Sequence, residues 1–95
     1  MQKYIVLGKW TENTRKTLDK IPESVAMTRK FTEELGGSLS VCFTMGEYDV
    51  VAIFDVPNEE TMVKIILKMA QMQRITTKTL RAWTDDEFVK LISEQ

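Results

Sequence analysis

A chain of 95 residues suffices for one domain near the lower size limit for a self-sufficient core, so residues 1–95 are read as a single domain. Thirteen Lys and Arg balance 14 Asp and Glu, interleaved along the chain, and so near-neutral a balance provides no basic footprint for nucleic acid. The sequence has no histidine and one cysteine, Cys42. Within one chain that argues against a zinc or iron-sulfur site, histidine-ligated haem, His-dependent nucleophile pairs and a disulfide, so no metal and no cofactor are expected.

Lys3 to Trp10 combines Tyr, Ile, Val and Leu ahead of a turn signal at Thr11 to Asn13, which predicts a first strand. It is apolar on both faces, Ile5 and Leu7 alternating with Tyr4, Val6 and Trp10. This opening apolar run of about five residues is too short for a signal h-region or a membrane span. No other stretch approaches ~18 apolar residues, so no membrane partner and a cytoplasmic location are expected. From Glu12 to Leu35 the apolar spacing turns helical through Leu18, Ile21, Val25, Thr28, Thr32 and Leu35. Pro22 divides it into a lead-in ending near Lys20 and a main helix, since proline suits only a first helical turn. Gly36 and Gly37 end that helix.

Ser38 to Met45 and Tyr48 to Val56 read as a hairpin across a short turn at Gly46 and Glu47. The nearly continuous apolar character of the third strand places it at the centre of a sheet. Asn58 caps the next helix, with Glu59 and Glu60 where the helix dipole favours negative charge. Met62, Val63, Ile65, Ile66, Leu67, Met69, Ala70 and Met72 cover more than half of its circumference. Arg74 to Trp83 is polar enough for an edge strand. Thr84 and Glu87 then form a capping-box signature for a terminal helix with Phe88, Leu91 and Ile92 on one stripe.

The order is βαββαβ plus a short C-terminal helix: an α+β, ferredoxin-like fold with a four-stranded antiparallel sheet. Right-handed crossovers put both main helices on one sheet face and leave the other open. Several of Ile5, Leu7, Val41, Phe43, Val50, Ala52 and Phe54, or their alternates in the other register, are expected there. Burying about 400 Å² of such surface is worth on the order of 10 kcal/mol before association costs, so a homodimer or higher homo-oligomer is expected. The competing arrangement is a monomer whose C-terminal helix crosses the open face with Phe88, Leu91 and Ile92.

Gly46-Glu47-Tyr48-Asp49, after Lys9-Trp10-Thr11 and before Thr77-Lys78-Thr79-Leu80-Arg81-Ala82, resembles the GYD domain family, small proteins marked by a Gly-x-Tyr-Asp signature. The resemblance runs from the first strand through Trp83. It implies a dimeric α/β-barrel in which two ferredoxin-like sheets pack face to face, and it brings no reaction. The sequence departs from the family pattern at Asn13 and Gln73, where a glycine is usual close by.

Five residues are candidates for a ligand site: Trp10, Tyr48, Asp49, Thr79 and Arg81. At the end of a central strand, the Tyr48 phenol and Asp49 carboxylate suit a pocket with hydrogen-bonding or basic groups. The plainer reading is a turn in which Asp49 accepts backbone N–H groups while Tyr48 packs an apolar edge. Arg81 and Thr79 share a strand face and could hold a small carboxylate or phosphate against Trp10 or Trp83. The plainer reading pairs Arg81 with Glu47 or Asp49 across an interface. Cys42 reads as a small buried hydrophobe and the Met-rich helix as adaptable packing. The leading function is an oligomeric binding or regulatory module for a small apolar or anionic ligand. The alternative is a cofactor-independent monooxygenase- or isomerase-like enzyme, on fold analogy alone. Convergence of Tyr48, Asp49 and Arg81 on one cavity would favour ligand chemistry.

Overall fold

Alternating large apolar side chains make Gln2–Trp10 strand β1 in the computed structural model, which describes residues 1–94. Thr11 caps the short helix α1 (Glu12–Lys16), a 3-10 turn follows at Leu18–Lys20, and α2 (Ile21–Glu34) carries Pro22 in its first turn. The chain continues through β2 (Ser38–Phe43), β3 (Val50–Val56), α3 (Glu59–Met72), β4 (Ile75–Ala82) and α4 (Asp85–Ser93). The strands form one antiparallel sheet in the order β2-β3-β1-β4, the ferredoxin-like arrangement the element order predicts. β3 and β1 are central. No helix among the described residues is long and apolar enough to cross a membrane.

Two glycines make the return from α2 to the sheet. Gly36 takes a positive φ of 86°, and the N–H groups of Gly36 and Gly37 donate to Glu33 and Thr32 carbonyls at 3.0 Å each, a Schellman cap. At Gly37 the constraint is space, because a Cβ there would stand 2.7 Å from the Asp55 carbonyl oxygen. The departure at Gln73 has a matching backbone cause: it ends α3 in the left-handed region at φ 54° and ψ 30°, where a side chain is disfavoured.

Register decides which side chains enter the core. Tyr4 lies opposite Phe54 and Val6 opposite Ala52, and these face Met62, Ile65 and Met69 of α3. Phe31 of α2, Leu35 at its C-terminal cap and Leu39 and Val41 of β2 close the same cluster, so both long helices cover one face. The other face carries Ile5 opposite Ile53 and Leu7 opposite Val51, with Leu80 beside Ile5 on the far side. Of the residues expected on the open face, Ile5 and Leu7 are there. Val41, Phe43, Val50, Ala52 and Phe54 lie on the helix side, because β2 and β3 pair with the opposite parity.

Three further expectations change. The β2–β3 connection is a wider loop from Thr44 to Asp49, closed by the Thr44 N–H on the Asp49 carbonyl at 2.8 Å, in place of a two-residue turn. Cys42 is exposed, because it falls on the open face of an edge strand. α4 forms with its complete Thr84–Glu87 capping box, but every residue from Trp83 to Glu94 is exposed and the helix leaves its own open face uncovered. The Glu87 carboxyl is held below the usual carboxylate range by the Thr84 N–H and hydroxyl, with a smaller contribution from Arg81.

Gln73→Gly removes the left-handed side chain while keeping the turn. It is expected to stabilise the domain by about 0.5–1 kcal/mol and raise Tm by roughly 2–8 °C in a thermal melt. An unchanged or lower Tm would show that Gln73 carries no strain.

Candidate functional site

Between α2 and the helix side of the sheet lies a cavity of about 80 Å³, against the roughly 10–15 Å³ one water requires. Its floor is Val50, Ala52 and Phe54 of β3 with Leu39 and Val41 of β2, and its roof includes Ile21, Val25 and Thr28 of α2. Met69 and Met72 of α3 close one side. Phe43, 55% exposed, and half-buried Trp10 stand where β2 and β1 end, at the same end of the sheet as the Thr44–Asp49 loop.

Arg74 is the single ionisable group among the described residues that line this cavity. Its backbone is pinned from α1: the Thr14 hydroxyl donates to the Arg74 carbonyl at 2.7 Å and the Thr11 N–H at 3.1 Å. The half-buried side chain then crosses to α2. Its Nε donates to Ser24 Oγ and its Nη1 to Thr17 Oγ1, both at 3.2 Å. An always-charged guanidinium thus ends an otherwise apolar space.

The five residues singled out from sequence separate. Trp10 lines the cavity. Asp49 sits beside it as a backbone clamp: its carboxylate accepts the Trp10 N–H at 3.0 Å, and its own N–H donates to the Gly8 carbonyl at 2.9 Å. Tyr48 offers its carbonyl to the Thr44 hydroxyl at 2.7 Å and its ring to the Lys9 ammonium, 5.4 Å from the centroid. The turn reading therefore describes Asp49, while Tyr48 stacks with a cation. Thr79 lies at mid-sheet opposite Val6, and Arg81 toward the other end opposite Tyr4.

From Trp10 to Tyr4 along β1 is about 20 Å at the usual rise per strand residue. Arg81 lies over the rings of Tyr4 at 5.4 Å and Trp83 at 4.6 Å, and donates to the Lys3 carbonyl at 3.1 Å. Among the described residues it makes no ion pair with Glu47 or Asp49 within the chain. Tyr48, Asp49 and Arg81 do not converge on one cavity. Sequence reasoning missed Arg74, Ser24 and Phe43. The α2 stripe of Ile21, Val25 and Thr28 was visible, but nothing in the local pattern shows that Arg74 turns back under it.

Asp49→Ala leaves the Trp10 N–H without its charged acceptor and is expected to destabilise the fold by about 1.5–3 kcal/mol. Asp49→Asn, which keeps an oxygen acceptor, should lose less. Urea unfolding measures both, and a loss below about 0.5 kcal/mol for the alanine variant would remove the clamp from this account.

The family model described as the GYD domain matches residues 4–92, a span that includes the cavity, the loop and β4. No curated protein matches the chain. The crystal structure of TTHA0845 from Thermus thermophilus is similar in fold, with a TM-score of 0.59 at 21% identity, covering 88% of this chain and 95% of that one. The clamp formed by Asp49 gives the signature at Gly46, Tyr48 and Asp49 a structural role, and the family match spans nearly the whole chain: this protein belongs to the GYD domain family.

Proposed function

We propose that the protein is a homodimeric small-molecule-binding module that holds a largely apolar ligand in the cavity between α2 and the sheet. The observation that carries this reading is the cavity wall: apolar side chains nearly throughout, with Arg74 as its one ionisable group among the described residues. A pocket of this kind, apolar with a few placed polar groups, is what small-ligand sites share. The same wall weighs against side-chain acid–base catalysis there, because arginine does not release its proton in proteins. The clamp by Asp49 and the capped turn at Gln73 and Arg74 serve binding by fixing Trp10 and Arg74 on the wall.

Self-association is supported by the second sheet face. Ile53, Ile5 and Leu80 form one apolar row across three strands, with Leu7 and Val51 beside it, and the Lys3–Asp55 ion pair at 2.9 Å borders it. On α4, Phe88 and Ile92 are each 56% exposed, a second apolar surface without cover from its own chain. A second copy, sheet against sheet with α4 at the margin, would bury both, where a monomer would leave an exposed patch.

Binding of 1-hexanol, followed by calorimetry, tests the cavity. Val25→Trp fills it from α2 and is expected to lower affinity tenfold or more with an unchanged circular dichroism spectrum; equal affinity would place binding elsewhere. Sedimentation at low micromolar concentration tests the dimer, with a species of twice 11.0 kDa expected. Ile53→Lys, a charge in the centre of the open face, should give the monomer. A wild-type monomer would overturn the face-to-face assembly.

A further inference from the structure

The guanidinium of Arg74 is held in place by groups that leave its charge uncompensated. Ser24 Oγ donates its own proton to the Lys20 carbonyl at 3.2 Å, and Thr17 Oγ1 donates to the Asn13 carbonyl at 2.9 Å. Both hydroxyls therefore present lone pairs to Arg74, whose Nη2 also approaches the Thr17 carbonyl at 3.5 Å. Every one of these partners is neutral. A guanidinium has five N–H donors in a planar fork, so two remain unassigned.

The two threonine hydroxyls on the wall are already committed. The Thr14 hydroxyl donates to the Arg74 carbonyl at 2.7 Å and the Thr28 hydroxyl to the Ser24 carbonyl at 3.0 Å. Among the described residues lining the cavity there is no carboxylate to pair with the cation. A partly desolvated charge without a counter-ion is costly, and Arg74 borders a largely apolar space large enough for several heavy atoms.

Resting on the cavity reading above, we propose that the ligand is a small molecule with an apolar body and one carboxylate head, the head set against the free donors of Arg74 and the body against Val25, Ala52 and Met69. A carboxylate matches the guanidinium fork in a paired geometry that a hydroxyl cannot reproduce. Trp10 then forms wall for the body, and Ser24 and Thr17 position the arginine without touching the ligand.

Hexanoate and 1-hexanol, equal in chain length and different in head group, separate this inference from the cavity reading. Calorimetry on the wild-type protein is expected to show hexanoate binding tenfold or more tightly than 1-hexanol, with Met69 and Met72 methyl resonances shifting for both. Arg74→Gln is expected to erase that preference, and Arg74→Lys, which keeps charge and loses the fork, to retain part of it. Binding of 1-hexanol with no preference for hexanoate in the wild type overturns the carboxylate head and leaves the cavity standing. Failure of both ligands to bind overturns the cavity reading and this inference with it.

Discussion

The pairing of β1 with β3 is the constraint on which the rest depends. With Val6 opposite Ala52 and Ile5 opposite Ile53, one parity of both central strands goes to the helices and the other to the open face. A slip of one residue in that pairing would turn one of the two strands over relative to the other. Either Tyr4 and Val6 or Phe54 would then leave α3, whose Met62 and Ile65 are almost wholly buried in the same cluster. Asp49 reinforces the register at the cavity end, because its N–H and carboxylate engage Gly8 and Trp10. The residue in the family signature that resembles a catalytic carboxylate thus holds two strands in phase.

That pairing also determines what lines the cavity. Val50, Ala52 and Phe54 form its floor because they share the helix-side parity of β3, and the small Ala52 leaves depth beneath α2. The polar end is built by a different device. α3 stops at a left-handed Gln73, the chain turns, and Thr11 and Thr14 seize the Arg74 carbonyl. The guanidinium reaches across to Ser24 and Thr17. A lone cation at the edge of apolar space suits recognition of a complementary head group better than proton transfer.

Much of the fold was legible because its signals are local. The apolar alternation of β1, Pro22 at the start of α2, the Gly36–Gly37 stop and the Thr84–Glu87 box each act within a few residues, and each formed as its chemistry predicts. The loop after β2 was harder to read. Gly46 and Glu47 suggested a tight turn, but the Thr44 N–H and hydroxyl bond to Asp49 and Tyr48 and widen it. Of the site, Trp10 and the turn role of Asp49 were readable, whereas Arg81 proved to be a cation stacked between Tyr4 and Trp83 at the other end of the sheet.

The apolar character of both strand faces, read at the outset as a reason for self-association, was written in the sequence from Ile5 to Leu7 and from Val51 to Ile53. So was the element order, since periodicity acts at short range. Which parity faced the helices, where α4 pointed and which cation met the cavity were decided only by tertiary structure. Those outcomes depend on partners distant in sequence: Trp10 with Asp49, and Arg74 with Thr17 and Ser24. No local preference encodes a contact of that kind, because each member is an ordinary strand or turn residue until the other arrives.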